Sequence, residues 1–336
     1  MRDMSVPRVL VTRRIAPEAF AVLDGHADCD VWDGELAPPR AALLERAAPC
    51  DGLLSMLTDR VDAELLAAAP RLRVVSNMAV GYDNVSVPDC TRRGVLVGNT
   101  PGVLTTTCAE FTMALLLAAA RRVAEGDRFL REGRWKGWLP MMIPGRDLYG
   151  ATLGIVGLGA IGLEVAARAR AFGMTVLYHS RTRKPDAEAS HALAWCPDLV
   201  SLLGRSDFVS LHVALSPDTR HLIGREQLRA MQPHAVLINT ARGPVVDQRA
   251  LYEALRERVI AAAALDVMEQ EPMPLDDPLL SLPNVLVTPH IASDSVATRT
   301  RMAVMAARNL LAGLRDEPMP SCVNPGAVET RTRRNT

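Results

Sequence analysis

Three glycines in one strand-to-helix turn constrain this chain more than any other feature of its sequence. Gly157-Leu158-Gly159-Ala160-Ile161-Gly162 follows the β-like run Thr152–Val156 and opens a helical stretch, Leu163 to Phe172. The spacing G-x-G-x-x-G is common by itself, but between a strand and a helix it marks a turn built for a phosphate. The first glycine permits the tight turn, the second lets backbone approach the ligand, and the third lets helix and strand pack closely. The helix N-terminus adds N–H donors and the positive end of its dipole.

Such a turn belongs in a parallel sheet, and short apolar runs alternate with helical stretches along most of the chain. Near the start, Arg8-Val-Leu-Val-Thr12, Leu53–Ser55, Val74–Ser76 and Val95–Val97 read as strands. A second series comprises Thr152–Val156, Thr175–Tyr178, Phe208–His212, Ala235–Asn239, Ala261–Leu265 and Val285–Thr288. Several are continuously apolar, as strands covered on both faces are. Asp247 to Arg258 reads as a helix with a capping aspartate, and a last helix is expected from Ser293 to Gly313. The alanine- and leucine-rich stretch Thr105 to Glu125 reads as one helix whose broad apolar surface would pack between domains or subunits. These runs predict an α/β protein in which a doubly wound parallel-sheet domain, 103–292, is inserted into a smaller α/β domain made of 1–102 and 293–325. The polar tail 326–336 is expected to be disordered.

Composition narrows the function classes. Lys+Arg and Asp+Glu both number 38 and aromatics are 4%, which favours neither nucleic acid nor an anionic membrane surface. The six cysteines form no CxxC pair and no metal-ligand spacing, so thiols in a reducing cytoplasm are expected, with no metal. The apolar run Met113–Ala120 falls far short of the ~20 residues of a membrane span, and Met1–Arg14 does not read as a signal peptide. A cytoplasmic protein is expected.

The segment after the second strand of the second series selects among dinucleotides. NAD-specific turns place an acid about 20 residues on, to accept from the ribose hydroxyls. Here the chain reads Tyr178-His179-Ser180-Arg181-Thr182-Arg183-Lys184, with cations and hydroxyls suited to a 2′-phosphate and no acid. NADP(H) is the expected cofactor, with NAD as the alternative. Pro217, Thr240, Ala241 and Asp266, each past a strand end, are further expected cofactor contacts.

Reactive side chains cluster at three strand ends: Asn239-Thr-Ala-Arg242-Gly243, Asp266-Val-Met-Glu269-Gln-Glu271-Pro272 and Thr288-Pro-His290. Ligands of open α/β sheets bind outside the carboxyl ends of strands, so all three segments should face one crevice.

With these motifs in place, the chain resembles the D-isomer-specific 2-hydroxyacid dehydrogenase family, most closely its glyoxylate/hydroxypyruvate reductases. Leu57–Asp62, Val80-Gly81-Tyr82-Asp83-Asn84, the glycine turn, Asn239–Gly243, Glu271-Pro272 and Pro289-His290 match the family's motifs in order, from Arg8 to Asn324. The resemblance implies a Rossmann-type cofactor domain inserted in a flavodoxin-like substrate domain, and a homodimer. It implies that His290 is the acid/base, Glu271 (rather than Glu269) its orienting carboxylate, and Arg242 the clamp on the 2-oxo acid's carboxylate. The backbone at Val80-Gly81 would meet that same carboxylate, Asp266 would lie near the nicotinamide, and Trp138 and Met141 would line the substrate pocket or pack. Cys108 stands where relatives often carry Thr, and Ala160 where many carry Arg. A dinucleotide-sensing, corepressor-like protein on the same fold and a phosphoglycerate-type dehydrogenase remain the alternatives.

Overall fold

Five strands from the first hundred residues pair in parallel: β1 (Arg8–Val11), β2 (Asp28–Val31), β3 (Gly52–Ser55), β4 (Val74–Asn77) and β5 (Leu96–Gly98). Their order is β2-β1-β3-β4-β5, the flavodoxin-like arrangement. β2 was not expected. Its Asp-Cys-Asp-Val sequence has low strand propensity, and it survives as a half-exposed edge paired only with β1. The C-terminal helix Val296–Leu314 belongs to this unit, buries Met302, Ala306 and Leu310, and accepts a 2.8 Å bond from Ser76 Oγ at the Ala306 carbonyl. In this computed structural model, which describes residues 6–330, the unit comprises the chain up to Leu104 together with that from Asp294 onward.

The second unit, Thr105–Ser293, carries a seven-stranded parallel sheet. Its strands are β6 (Thr152–Val156), β7 (Thr175–His179), β8 (Ala194–Trp195), β9 (Phe208–Leu211), β10 (Val236–Asn239), β11 (Ala262–Leu265) and β12 (Val285–Val287). The order β12-β11-β10-β9-β6-β7-β8 reverses between β6 and β9, the doubly wound topology expected from the sequence. Period-two geometry sends successive side chains to opposite faces, and both faces are covered. Val176 and Tyr178 join one core with Ile155, Phe208 and Ile238, while Leu177 joins the other with Leu211, Leu237 and Leu265.

Two expectations need correction. The helix from Thr105 ends at Ala120, and a separate helix runs from Val123 to Arg131. Arg122 between them is left-handed (φ 54°), and the Arg146 N–H, rather than a further helical turn, takes the Ala120 carbonyl at 2.8 Å. On the first helix, Ala109, Met113 and Leu116 pack inside their own unit with Val165 and Ala169. The second correction concerns the tail. Residues 327–330 are helical with Ala327 fully buried, while 331–336 lie outside the described residues.

His212, just past β9, illustrates the cost of burying a titratable ring. Its Nε2 lies 2.8 Å from Ser210 Oγ, and burial holds the imidazole down at about 4. An unfolded chain protonates this ring near its ordinary ~6.5. Between those values the unfolded state binds more protons, so stability falls as pH drops from about 6.5 to 4. His212→Gln should flatten that acid limb, measured by denaturant unfolding between pH 7 and 4.5. Because His212 is only partly buried, about 3 kcal/mol is the upper bound. Parallel pH slopes for both proteins would clear His212 of the effect.

Candidate active site

The three glycines of the turn are required for three different reasons. Gly157 has φ +93°, and an added Cβ would lie 2.8 Å from the His212 carbonyl oxygen, so both conformation and space demand glycine. A Cβ on Gly162 would lie 2.4 Å from the Gly157 oxygen, because the helix Ala160–Ala171 starts hard against the turn. Gly159 differs from both. A Cβ there would meet nothing within 4 Å, so protein packing does not explain the glycine, whereas close approach of a ligand does. No side chain caps the helix above it, leaving first-turn N–H groups for an anion. The residues present therefore fit a dinucleotide pyrophosphate. Gly159→Ala should leave the thermal midpoint within 2 °C and raise the Kd for the dinucleotide about tenfold, read by fluorescence titration. Unchanged affinity would remove Gly159 from the phosphate site.

The basic segment after β7 is less open than its sequence suggests. Arg183 is bound by Glu188 at 2.8 Å and lies over the Trp195 ring at 5.3 Å. Glu188 also accepts from the Tyr178 hydroxyl at 2.6 Å, and Arg183 first, Tyr178 second, hold its carboxyl at about 2. Arg183 is thus neutralised by an acid from the following helix, which no local reading of residues 178–184 contains. Ser180 Oγ donates to the Thr182 carbonyl at 2.7 Å. Arg181 is exposed and makes no ion pair among the described residues.

At the ends of β10, β11 and β12 the reactive residues come together. Asn239, almost fully buried, accepts from the Ala241 N–H at 3.0 Å and donates to the Arg242 carbonyl at 2.9 Å, shaping the turn that carries Arg242. Thr240 Oγ1 meets Thr112 Oγ1 at 2.9 Å. His290 Nδ1 lies 2.7 Å from Glu271 Oε2, and Glu271 Oε1 accepts from the Met268 N–H at 3.0 Å. Burial, the largest single influence on Glu271, would raise its pKa. The bond and charge of His290, the Met268 N–H and nearby Arg242 together pull it below the usual range. An ionised Glu271 can only accept, so Nδ1 carries the proton and Nε2 is left for a substrate. Glu269 pairs instead with His221.

Asp266 holds the histidine rather than presenting an open carboxylate. It is fully buried and accepts from Thr288 Oγ1 (2.6 Å), the Ile291 N–H (2.9 Å) and the Ala292 N–H (2.8 Å). Its own carbonyl accepts from the His290 N–H at 2.9 Å, in a turn where His290 adopts φ 57°. This side chain anchors the His290 turn. Asn239 and Thr288 are the residues that sequence reading left without a role, and their only signal was proximity to Arg242 and His290.

Pro217 is exposed in a turn where Thr219 Oγ1 accepts from the Ser216 N–H at 2.8 Å. Trp138 is 79% exposed and Met141 74%, so neither packs in the core of its own chain. In the first unit, the Val80 and Gly81 carbonyls accept from Asn99 (2.8 Å) and Asn77 (3.1 Å) side chains. Their N–H groups have no partner among the described residues.

Comparison with known proteins agrees with this geometry. Residues 113–292 match the D-isomer specific 2-hydroxyacid dehydrogenase, NAD binding domain. A glyoxylate reductase of Korarchaeum cryptofilum is 54% identical over 97% of this chain and 98% of its own. One from Aeropyrum pernix is 50% identical over 98% and 99%. Among solved structures, an NADPH-dependent glyoxylate/hydroxypyruvate reductase of Sinorhizobium meliloti, in complex with NADP and malonate, superposes with TM-score 0.85 at 34% identity, covering 96% of this chain and 98% of that one. A phosphate-binding turn, a Glu–His pair at the strand ends and relatives this similar over nearly the whole chain lead to one assignment: the chain belongs to the D-isomer-specific 2-hydroxyacid dehydrogenase family and is an oxidoreductase that uses a nicotinamide cofactor.

Proposed function

We propose that this enzyme reduces small 2-oxo acids, glyoxylate to glycolate and hydroxypyruvate to D-glycerate, with NADPH preferred over NADH. The observation that carries the reading is the 2.7 Å Glu271–His290 pair at the strand ends of a nicotinamide-binding sheet. The bound cofactor supplies a hydride to the carbonyl carbon of the substrate. His290 Nε2 gives its proton to the carbonyl oxygen as negative charge grows there, so an alkoxide is never released. Glu271, ionised, accepts from Nδ1–H and favours the imidazolium that must donate. Arg242 offers a planar fork that matches a carboxylate in two parallel bonds, and the Val80 and Gly81 N–H groups would add donors to that carboxylate. The names of the most similar relatives support glyoxylate as substrate.

The cofactor preference rests on Arg181, Ser180 and Thr182, with the pairing of Arg183 to Glu188 limiting its strength. Steady-state rates on a panel of 2-oxo acids with NADPH and NADH test both parts. We expect glyoxylate and hydroxypyruvate to lead, and Arg181→Ala to lower kcat/KM with NADPH about tenfold while leaving NADH within twofold. Equal or better efficiency with NADH would overturn the preference, and no turnover of any 2-oxo acid would overturn the function. A homodimer is part of the same reading. It is supported by Val123, Leu130, Trp135, Trp138 and Leu139, apolar side chains more than half exposed on one helix and the loop after it.

A further inference from the structure

The second histidine–glutamate pair, His221–Glu269, lies beside the first and belongs to none of the roles above. His221 is on the segment between β9 and β10, and its Nε2 is hydrogen-bonded to Glu269 Oε1. Its backbone N–H donates to the Pro244 carbonyl at 2.8 Å, just past Arg242 and Gly243. The next link is parallel: Ile223 donates to Val245 and Asp247 to Ile223, so residues 221–223 run alongside 244–246. Glu269 is two residues before Glu271, and its N–H is fixed by Gln248 Oε1 at 3.0 Å. His221 therefore touches the Arg242 turn through its backbone and the Glu271 loop through its ring.

The backbone of His221 makes the ring more informative. It is left-handed, with φ 54°, a conformation that glycine adopts freely and a residue with a Cβ adopts at a cost. A side chain kept at a strained position points to work done by the ring. The two segments it joins also meet directly: a Cβ on Gly243 would lie 1.8 Å from the Met268 oxygen. Small relative shifts between these segments would move Arg242 against Glu271.

We propose that His221 and Glu269 form a positioning clasp that holds the Arg242 turn in register with the Glu271 loop. The pair does not touch the reacting atoms. It acts through the carboxylate clamp and the acid/base pair, and in that sense it rests on the roles proposed for Arg242, Glu271 and His290. Its side chains are 43% and 33% exposed, so its contribution to global stability is small and its effect is on geometry.

The test uses His221→Gly, His221→Gln, Glu269→Gln and the double variant His221→Gly/Glu269→Gln in the full-length enzyme with glyoxylate. His221→Gly relieves the left-handed backbone, so the thermal midpoint should stay within 2 °C. KM for glyoxylate should rise about five- to tenfold, with kcat down two- to threefold and KM for the dinucleotide unchanged. His221→Gln, whose amide can still donate to Glu269, should recover most of the loss. Glu269→Gln should resemble His221→Gly, and the double variant should be no worse than either single one. Three results would each overturn the clasp: kinetics within twofold of the parent, losses that multiply in the double variant, or a fall in thermal midpoint with unchanged KM. If His221→Gly fails to fold, the exposed Glu269→Gln decides alone by the same KM criterion. Arg242→Lys is measured in parallel. A normal KM there would sink the role of Arg242 itself, whereas a raised KM there with inert clasp variants sinks only the clasp.

Discussion

Replacing His290 by glutamine is expected to lower kcat about a thousandfold while leaving the Kd for the dinucleotide within threefold. A positioned general acid contributes roughly a hundredfold to ten-thousandfold, and glutamine can hydrogen-bond a carbonyl oxygen but cannot protonate an alkoxide. The ring's position makes the upper part of that range reasonable. Nδ1 is engaged by Glu271, the backbone N–H by Asp266, and the carboxylate of Asp266 fastens the residues on either side. Stopped-flow turnover and fluorescence titration separate the two quantities. A variant retaining a tenth of parent activity would remove His290 as the proton donor. The pH dependence follows from the lowered pKa of Glu271. A carboxylate whose folded pKa is depressed adds stability above its ordinary ~4.3, and that stability is lost as pH falls through the folded value. The His290–Glu271 pair should therefore persist as pH falls through the ordinary glutamate range and be lost only under more acidic conditions.

Gly243→Ala should be the most harmful single methyl group introduced near the site. The added Cβ would lie 1.8 Å from the Met268 oxygen and 2.5 Å from the Glu269 nitrogen, both backbone atoms that cannot rotate away. One of the two segments must move, and either movement separates Arg242 from the Glu271–His290 pair. We expect kcat/KM for glyoxylate to fall at least a hundredfold, with the thermal midpoint down by about 5–10 °C, consistent with overpacking of about 2–3 kcal/mol. A variant within 2 °C and threefold of the parent would show that the close approach is dispensable. Gly159→Ala is the contrast, because its methyl group enters open space and should affect only the cofactor.

How much of this was legible beforehand depended on the range of the interaction. β6 coincides with the run Thr152–Val156, because a nearly continuous apolar run that stops at a glycine turn is a local signal. β2 was missed, since Asp28 and Asp30 hide a strand that exists only by pairing with β1. The end of the long helix was misjudged because nothing local announces that Arg146, 26 positions beyond Ala120, takes the Ala120 carbonyl. The basic run after β7 reads as a set of cations facing a ligand, and Glu188 from the next helix pairs with Arg183. Between Glu269 and Glu271, the choice from sequence lay only in the neighbouring proline. In three dimensions each acid has its own histidine.

The sequence by itself determined the phosphate-binding turn, the alternation that makes a doubly wound sheet, and the set of reactive residues at strand ends. Those features depend on steric and apolar patterns repeated over a few residues, and such patterns are written where they act. The tertiary structure alone decided which acid meets which histidine, and which cation past β7 pairs with an acid. It also decided why Gly243 must lack a side chain, and that Asp266 anchors the His290 turn. These outcomes depend on segments from different strands meeting within a few ångströms, and no spacing along the chain encodes that distance.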